Sequence, residues 1–433
     1  MVFKRLQLGL IHVAVAMTLV PINSTLNRVM IKELAVSATL VAALASLPYL
    51  FSPIQVAIGS FSDRHPILGL RRSPYIVLGL LLCVLGVVLS PQAAFLLADH
   101  FWAGLGMGLL TFGAWGMGFN FATVSYLSLA SELSGERGKG KTIAVMWFMM
   151  IASIIVTAIA LSQMVDPYTP LALEQAFWRI GLAALFLGLL GLLGLERRSS
   201  DLTAANEGYT WGEMTRAILE NRQARLFFWY LTILLAAILG QDILLEPFGG
   251  EAFGMTVQAT TRITSLWGGC VLVALLVAGA LEGRLGKRPV ARWGAWGALL
   301  GFALIVASGL SLSRGVFYLG VMLLGTGTGL STVSNLSLML DMTTAENVGL
   351  FIGAWGMANA ASRLVGTVLG GAVRDLVTQA LGLPLAGYLA VFAIEAGMLA
   401  GSLLLLQRID VRAFQEKASS IPVVERAAMA SEV

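Results

Sequence analysis

Long apolar runs separated by short polar loops organise this chain. Runs at about 7–30, 36–61, 73–90, 101–131, 141–165, 176–195, 225–245, 256–281, 289–311, 315–340, 347–373 and 384–406 are each of a length that crosses a bilayer as a helix, which takes about 20 residues. The pattern predicts an all-α membrane protein with twelve transmembrane helices. One polar interruption, 196–224, is long and divides the runs six and six. The expected organisation is an N-terminal half (1–195), a central loop (196–224), a C-terminal half (225–406) and a tail (407–433). Within the loop, residues 211–219 alternate as a short amphipathic helix lying on the membrane surface.

Composition agrees with that reading. The chain is 57% hydrophobic and only 12% charged, against about 25% charged in soluble domains. The first run is too long for a cleavable signal peptide and lacks a small-residue cleavage site, so it is expected to stay. Basic residues collect in alternate loops, from Lys4 and Arg5 through Arg64, Arg71, Arg72, Arg137, Lys139 and Lys141 to Arg284, Lys287, Arg288, Arg408 and Arg412. The opposite loops read as nearly bare of Lys and Arg, which places both termini in the cytoplasm. The net charge of +4 therefore marks topology, and no basic patch interleaved with aromatics points to nucleic acid. Cys83 and Cys270 read as small core residues. With three histidines and no CxxC, a Cys/His metal site is not expected. No nucleophile–base set at usable spacing points to an enzyme.

The halves repeat each other. Thr123-Val124-Ser125-Tyr126-Leu127-Ser128-Leu129 returns 209 residues later as Thr332-Val333-Ser334-Asn335-Leu336-Ser337-Leu338, and each copy is followed by an acid, Glu132 and Asp341. The loop Gly59-Ser60-Phe61-Ser62-Asp63-Arg64, leading to Arg71-Arg72, returns 220 residues on as a segment from Gly279 through Arg284 to Lys287-Arg288. Both are similar to the loop signature of the major facilitator superfamily. The first copy has a longer spacer before its arginines, and the second has Gly283 where that signature carries an acid. The resemblance implies the major facilitator fold, with two six-helix halves facing each other across a cavity near the midplane. Gly59, Asp63, Arg64, Arg71, Arg72, Gly279, Arg284, Lys287 and Arg288 are the expected gating set. Asp63 would pair with arginines on a neighbouring helix; the alternative is that these loops only mark topology. Glycine clusters such as 104–108 and 325–329 are read as helix-packing surfaces.

Polar residues within the apolar runs are the candidate site, because charge at membrane depth is costly and is usually functional. Asp242 and Glu246 stand four apart and are expected on one helix face beside Gln241. His12, Asn23 and Asn27 fall on one stripe at 100° per residue, with Arg28 pointing elsewhere. Asn23 and Asp242 are 219 residues apart, a further sign of the repeat. Arg363, Asn359 and Glu395 are further buried candidates, and Arg262 is placed to pair with Asp242 or Glu246. His12 is either an axial ligand to a metal or a hydrogen-bonded helix histidine. Trp115, Trp147, Trp267 and Trp355 either stack on a flat ligand or pack the core. The whole set reads either as a closed network pinning the halves together or as a site for a ligand or proton.

The phrases Leu26-Asn27-Arg28-Val29-Met30, Ser62-Asp63-Arg64-His65 with Arg71-Arg72-Ser73-Pro74-Tyr75-Ile76, Gln241 to Gly250, and Gly349-Leu350-Phe351-Ile352-Gly353-Ala354-Trp355-Gly356 resemble the PucC-like bacteriochlorophyll-delivery family, a branch of that superfamily. The resemblance implies delivery or shielding of chlorophyll or bacteriochlorophyll during light-harvesting or photosystem assembly. Asn27, Arg28, Gln241, Asp242 and Glu246 would be its functional polar residues, and a metal at His12 would be the chlorin magnesium. Implied partners are antenna polypeptides, photosystem assembly intermediates or a pigment synthase, in the photosynthetic membrane (cytoplasmic, intracytoplasmic or thylakoid) of a phototrophic bacterium. Two rivals stand beside this. One is a proton-coupled small-solute transporter using Asp242, Glu246 or Glu395; the other is a scaffold without bound ligand.

Overall fold

The structure, a computed structural model, describes residues 2–196, 198, 211–343 and 348–419. Their regular structure is helical. In lipid a helix satisfies its own backbone, so apolar runs of this length close their hydrogen bonds internally. Nine of the described helices are long and apolar enough to cross a membrane.

The first element, α1, runs from Val2 to Val20 and continues through two π-helical stretches, Pro21–Leu26 and Val29–Glu33. Three short helices follow: α2 (Ala38–Ala45), α3 (Leu47–Leu50) and α4 (Ile54–Arg64). Pro48 and Pro53 break this run, because proline lacks an N–H and its ring clashes with the preceding turn. Next come α5 (Ser73–Asp99), α6 (Phe101–Met164) and α7 (Pro170–Leu192). The second half contains α8 (Trp211–Glu220), α9 (Arg222–Gly240), α10 (Leu245–Phe253), α11 (Val257–Leu285), α12 (Lys287–Ser311), α13 (Arg314–Asp341), α14 (Val348–Leu381), α15 (Pro384–Arg408) and α16 (Val411–Ser419). Side-chain oxygens of Ser37, Thr169, Asn221, Thr256 and Ser313 accept from backbone N–H groups at the helix starts that follow them, meeting donors that lipid cannot.

Backbone hydrogen bonding counts α6 as one element of 64 residues. Yet the Ser134 hydroxyl donates to Thr142 Oγ1 at 2.7 Å, and eight residues on a straight helix rise about 12 Å. Likewise Tyr126 and Trp147 both lie against the His12 ring, at 5.0 and 6.5 Å. The chain therefore doubles back between Ser134 and Thr142, and its two arms run antiparallel.

α1, α5, α6 and α7 pack into one bundle, and α9 with α11 to α15 into another. Small residues set the closest approaches within each. A Cβ on Gly118 would lie 2.5 Å from Cys83 N and Gly79 O of α5, and one on Gly327 would lie 2.3 Å from Ala298 N of α12. α8 buries Met214 and Ile218 against the second bundle, while Phe414 of α16 stacks edge-on with Phe351 at 5.0 Å. The central-loop residues 197 and 199–210 and the tail from 420 lie outside the described residues.

The bundles meet along a seam formed by α6 on α11, α2 on α14, and the π-helical end of α1 on α10 and α11. The start of α1 and all of α16 mark the terminal end of the molecule. At the opposite, distal end, Asp375 of α14 accepts from Ala38 N (3.1 Å), Thr39 N (2.8 Å) and the Thr39 hydroxyl (2.7 Å), so an acid of one bundle caps α2 of the other. The distal end also carries Arg28, Lys32, Arg314 and Arg374, against the expectation of loops nearly bare of base. Each is tied down, to Glu33, Glu251, the Phe253 carbonyl and Asp375 respectively, so these bases are structural partners rather than free positive charge.

Candidate functional site

Both repeats leave α-helical geometry at matching places. Residues 241–243 form a 3-10 turn between α9 and α10, and 219 positions earlier the chain enters the π-helical stretch Pro21–Leu26. Paired discontinuities of this kind at a repeat interface free backbone and polar side chains at membrane depth. The candidate polar residues gather around these two breaks.

The break in the second half changes one expectation. Asp242 and Glu246 do not share a face of a continuous helix, because Pro247 is tolerated only in the first turn and the chain restarts at Leu245. Asp242 turns toward α14 and Glu246 toward α1 and α11. Asp242 accepts from the Gln241 amide at 2.9 Å and faces Arg363 at 3.9 Å. Arg363 donates to the Tyr49 hydroxyl at 3.1 Å and lies over its ring, 5.2 Å from the centroid. A void of about 10 Å³ lined by Asn23, Tyr49, Asp242, Arg363 and Thr367 separates these groups, about the size of one water. Glu395 is buried against Gly240 at the end of α9, with Oε2 unpartnered among the described residues.

Glu246 occupies a second pocket of polarity. Its Oε1 accepts from the Ser24 hydroxyl and, at 2.5 Å, from the Thr264 hydroxyl. Next to it, Thr25 and Thr261 hydroxyls meet at 2.9 Å. Asn27 is fully buried, with Nδ2 on Asn23 O and Oδ1 unpartnered.

Arg28 sits near the outer end of its span and turns into the distal end of the seam. It is 2% exposed and lies in the seam, donating to Glu33 at 2.8 Å and to the Met255 carbonyl at 3.3 Å, with its guanidinium laid on Gly250. The 100° stripe assumes α-helix throughout, and the wider π turns of α1 rotate everything beyond Pro21. Beyond Arg28 a cavity of about 250 Å³ opens, lined by Glu33, Asp166, Tyr168, Thr256 and Gln258 among others. Burial pushes the Tyr168 hydroxyl pKa up, Glu33 adds to that and Arg28 opposes it.

Two other expectations fail. Arg262 is exposed and pairs with neither acid, because Thr261 and Thr264 occupy the face of α11 that meets Glu246. Asn359 is exposed rather than buried. His12 stands apart from the seam, buried inside the first bundle between Tyr126 and Trp147. Trp115 and Trp355 are fully buried core, whereas Trp147 is exposed on one side.

The expected gating residues form pairs within each bundle. Arg72 is buried and donates to Glu132 Oε1 through Nε (3.0 Å) and Nη2 (2.9 Å), and to the Ser62 hydroxyl at 2.7 Å. Glu196 accepts from the backbone N–H groups of Arg71, Arg72 and Ser73. In the second bundle Lys287 holds Asp341 at 2.7 Å, and Ser337 donates to Glu282 at 2.9 Å. Arg64, Arg284 and Arg288 are exposed, and no contact crowds Gly279. The side chain of Asp63 lies outside the described residues, as do those of Arg137 and Lys139.

Sequence comparison decides the family. The pattern of the family described as PUCC protein matches residues 25–414. The chain belongs to the PucC family. "Protein PucC" of Cereibacter sphaeroides is 34% identical over 414 residues, covering 92% of this chain and 89% of that protein. A second relative, named "Bacteriochlorophyll synthase 44.5 kDa chain" in Rhodobacter capsulatus, is 28% identical over 91% of this chain and 94% of its own length. Among solved structures, a mutant of the nucleoside transporter NupG superposes with a TM-score of 0.74 at 14% identity, over 94% of this chain and 99% of that one. A bacterial homologue of the human lysosomal transporter Spinster, inward-facing and occupied, gives 0.73 at 12% identity, over 94% and 97%. At such identities the likeness establishes the fold alone: this PucC-family chain is an integral membrane protein with the architecture of major facilitator transporters.

Tyr49, Ser24, Thr25, Thr261, Thr264, Thr367, Glu251 and Asp375 belong to the seam and were not singled out from sequence. For one pair the signal was present: Lys32 and Glu251, bonded across the seam, are 219 residues apart like Asn23 and Asp242.

Proposed function

We propose that this chain handles chlorophyll or bacteriochlorophyll and assists assembly of light-harvesting or photosystem complexes in a photosynthetic membrane. The observation that carries the reading is its near full-length similarity to PucC proteins and to a relative named as a bacteriochlorophyll synthase chain. On this reading antenna polypeptides, photosystem intermediates or a pigment synthase are partners, pigment is cargo rather than a catalytic cofactor, and the chain is not itself an enzyme. Twelve spans with cytoplasmic termini complete it. Beside the nine helices that are by themselves long and apolar enough, the first arm of α6, the broken stretch 38–64 and α14 support the three further spans, and the loop bases favour that orientation.

A proton-coupled solute carrier is the second reading, favoured by the transporter fold and by buried Glu395 and Glu246. One experiment separates them: absorption and pigment extraction of the protein purified from its host in mild detergent. Near-stoichiometric chlorin that falls several-fold in Asp242→Asn or Arg363→Met is the expected result. A folded, colourless protein that drives proton-linked solute uptake in vesicles would sink the pigment reading.

A further inference from the structure

Glu246 is 3% exposed, yet among the described residues no lysine or arginine lies within ion-pair distance of it. The two bases nearest along the seam already hold acids of their own, Arg28 with Glu33 and Lys32 with Glu251. Arg262, close in sequence on α11, is exposed. A buried carboxylate without a counter-charge is costly and is neutralised by whatever small cation reaches it.

What surrounds Glu246 is oxygen. Ser24 and Thr264 hydroxyls sit on Oε1, and Thr25 and Thr261 hydroxyls meet each other alongside. Oε2 is unpartnered, and so is the Oδ1 of Asn27, one turn beyond Ser24 on α1. A proton needs one of these oxygens. A hard metal cation needs several, from carboxylate, hydroxyl and carbonyl groups. The single carboxylate charge selects a monovalent ion, since Mg²⁺ keeps its waters and Ca²⁺ takes more ligands and usually more carboxylates. The π-helical stretch of α1 and the restart at α10 are also the type of interrupted helix at which Na⁺ sites form in transporters.

We propose that Glu246, with the hydroxyls of Ser24, Thr25, Thr261 and Thr264, forms a sodium site across the seam between the two bundles. The site draws ligands from α1, α10 and α11, so a bound ion ties the bundles together at mid-seam. It stands independently of the pigment reading.

The test is thermal unfolding of the purified full chain at fixed pH and ionic strength, with NaCl exchanged for KCl or choline chloride. The expected result is a saturable, sodium-specific rise in Tm. That rise should be absent in Glu246→Gln and should need at least about tenfold more sodium in Thr264→Val, which keeps the shape and removes one ligand. If Glu246→Gln does not fold, the Thr264→Val and Ser24→Ala titrations decide. An equal response to all three salts, a sodium response untouched by these substitutions, or a response to pH alone would each overturn the site.

Discussion

Asp375→Ala is expected to release the distal end of the seam. The carboxylate of Asp375 takes three hydrogen bonds from the start of α2 in the other bundle and one ion pair from Arg374 beside it. It is 8% exposed, and its removal leaves the buried Ala38 N and the half-buried Thr39 N as helix-start donors without acceptors. Hydrogen bonds to a charged acceptor contribute about 1.5–3 kcal/mol each and are not additive, so a total near 2–4 kcal/mol is a fair expectation. Each 1.4 kcal/mol is tenfold in an equilibrium, which shifts the balance between joined and parted distal ends by about thirty- to seven-hundredfold. Spin labels at exposed Phe101 and Leu376, in opposite bundles, would report it as a second, longer distance. An unchanged distribution in the folded variant would mean that α6 on α11 holds the seam without this cap. Because α2 and α14 carry Tyr49's neighbours and Arg363, opening there also loosens the Asp242–Arg363–Tyr49 group.

Much of this architecture is legible in the sequence because lipid leaves the chain few options. A run of about 20 apolar residues can close its hydrogen bonds only as a helix, so the span positions follow from hydropathy. The repeat is legible as well, and its offset of 219 reaches further than Asn23 and Asp242: it also relates Lys32 to Glu251 and the π-helical stretch of α1 to the break after α9. Equivalent positions on repeat-related helices meet only where the two helices face each other, so these contacts place α1 opposite the α9–α10 break across the seam.

What sequence does not carry is orientation near those breaks. A 100° stripe places Arg28 off the line of His12, Asn23 and Asn27, and the two π stretches turn it into the distal end of the seam. A four-residue spacing predicts Asp242 and Glu246 together, and Pro247, visible in the sequence, separates them. The hydroxyl residues give no advance signal for a different reason. Many helix Ser and Thr here bond their own backbone, as Ser308, Ser402 and Thr332 do three or four residues back. Nothing in Ser24 or Thr264 distinguishes them from those residues until a buried carboxylate is found beside them.

The two ion pairs at the terminal end test how far the repeat extends to energetics. Arg72–Glu132 and Lys287–Asp341 occupy corresponding places, each joining the helix after a signature loop to the acid after the repeated Thr-Val-Ser motif. Their surroundings differ. The Arg72 side chain is 7% exposed, reaches one carboxylate oxygen with two N–H groups and also holds Ser62, while Glu132 is 37% exposed. Lys287 and Asp341 are 40% and 35% exposed. A buried fork that loses its centre leaves acceptors in a dry site and costs about 3–5 kcal/mol when fully enclosed; with Glu132 partly solvated, about 2–3 kcal/mol is expected for Arg72→Met. A solvent-reached lysine pair contributes about 0–1 kcal/mol, so Lys287→Met is expected to change little. Urea or thermal unfolding of both variants in the same detergent would check the ranking, and raised salt should widen the gap slightly, because screening reaches the exposed pair first. Equal losses would mean that the pairs act as a symmetric latch whose strength depends on the bundles' motion rather than on burial. A larger loss for Lys287→Met would show that the second loop, despite Gly283 in place of an acid, carries the greater structural burden.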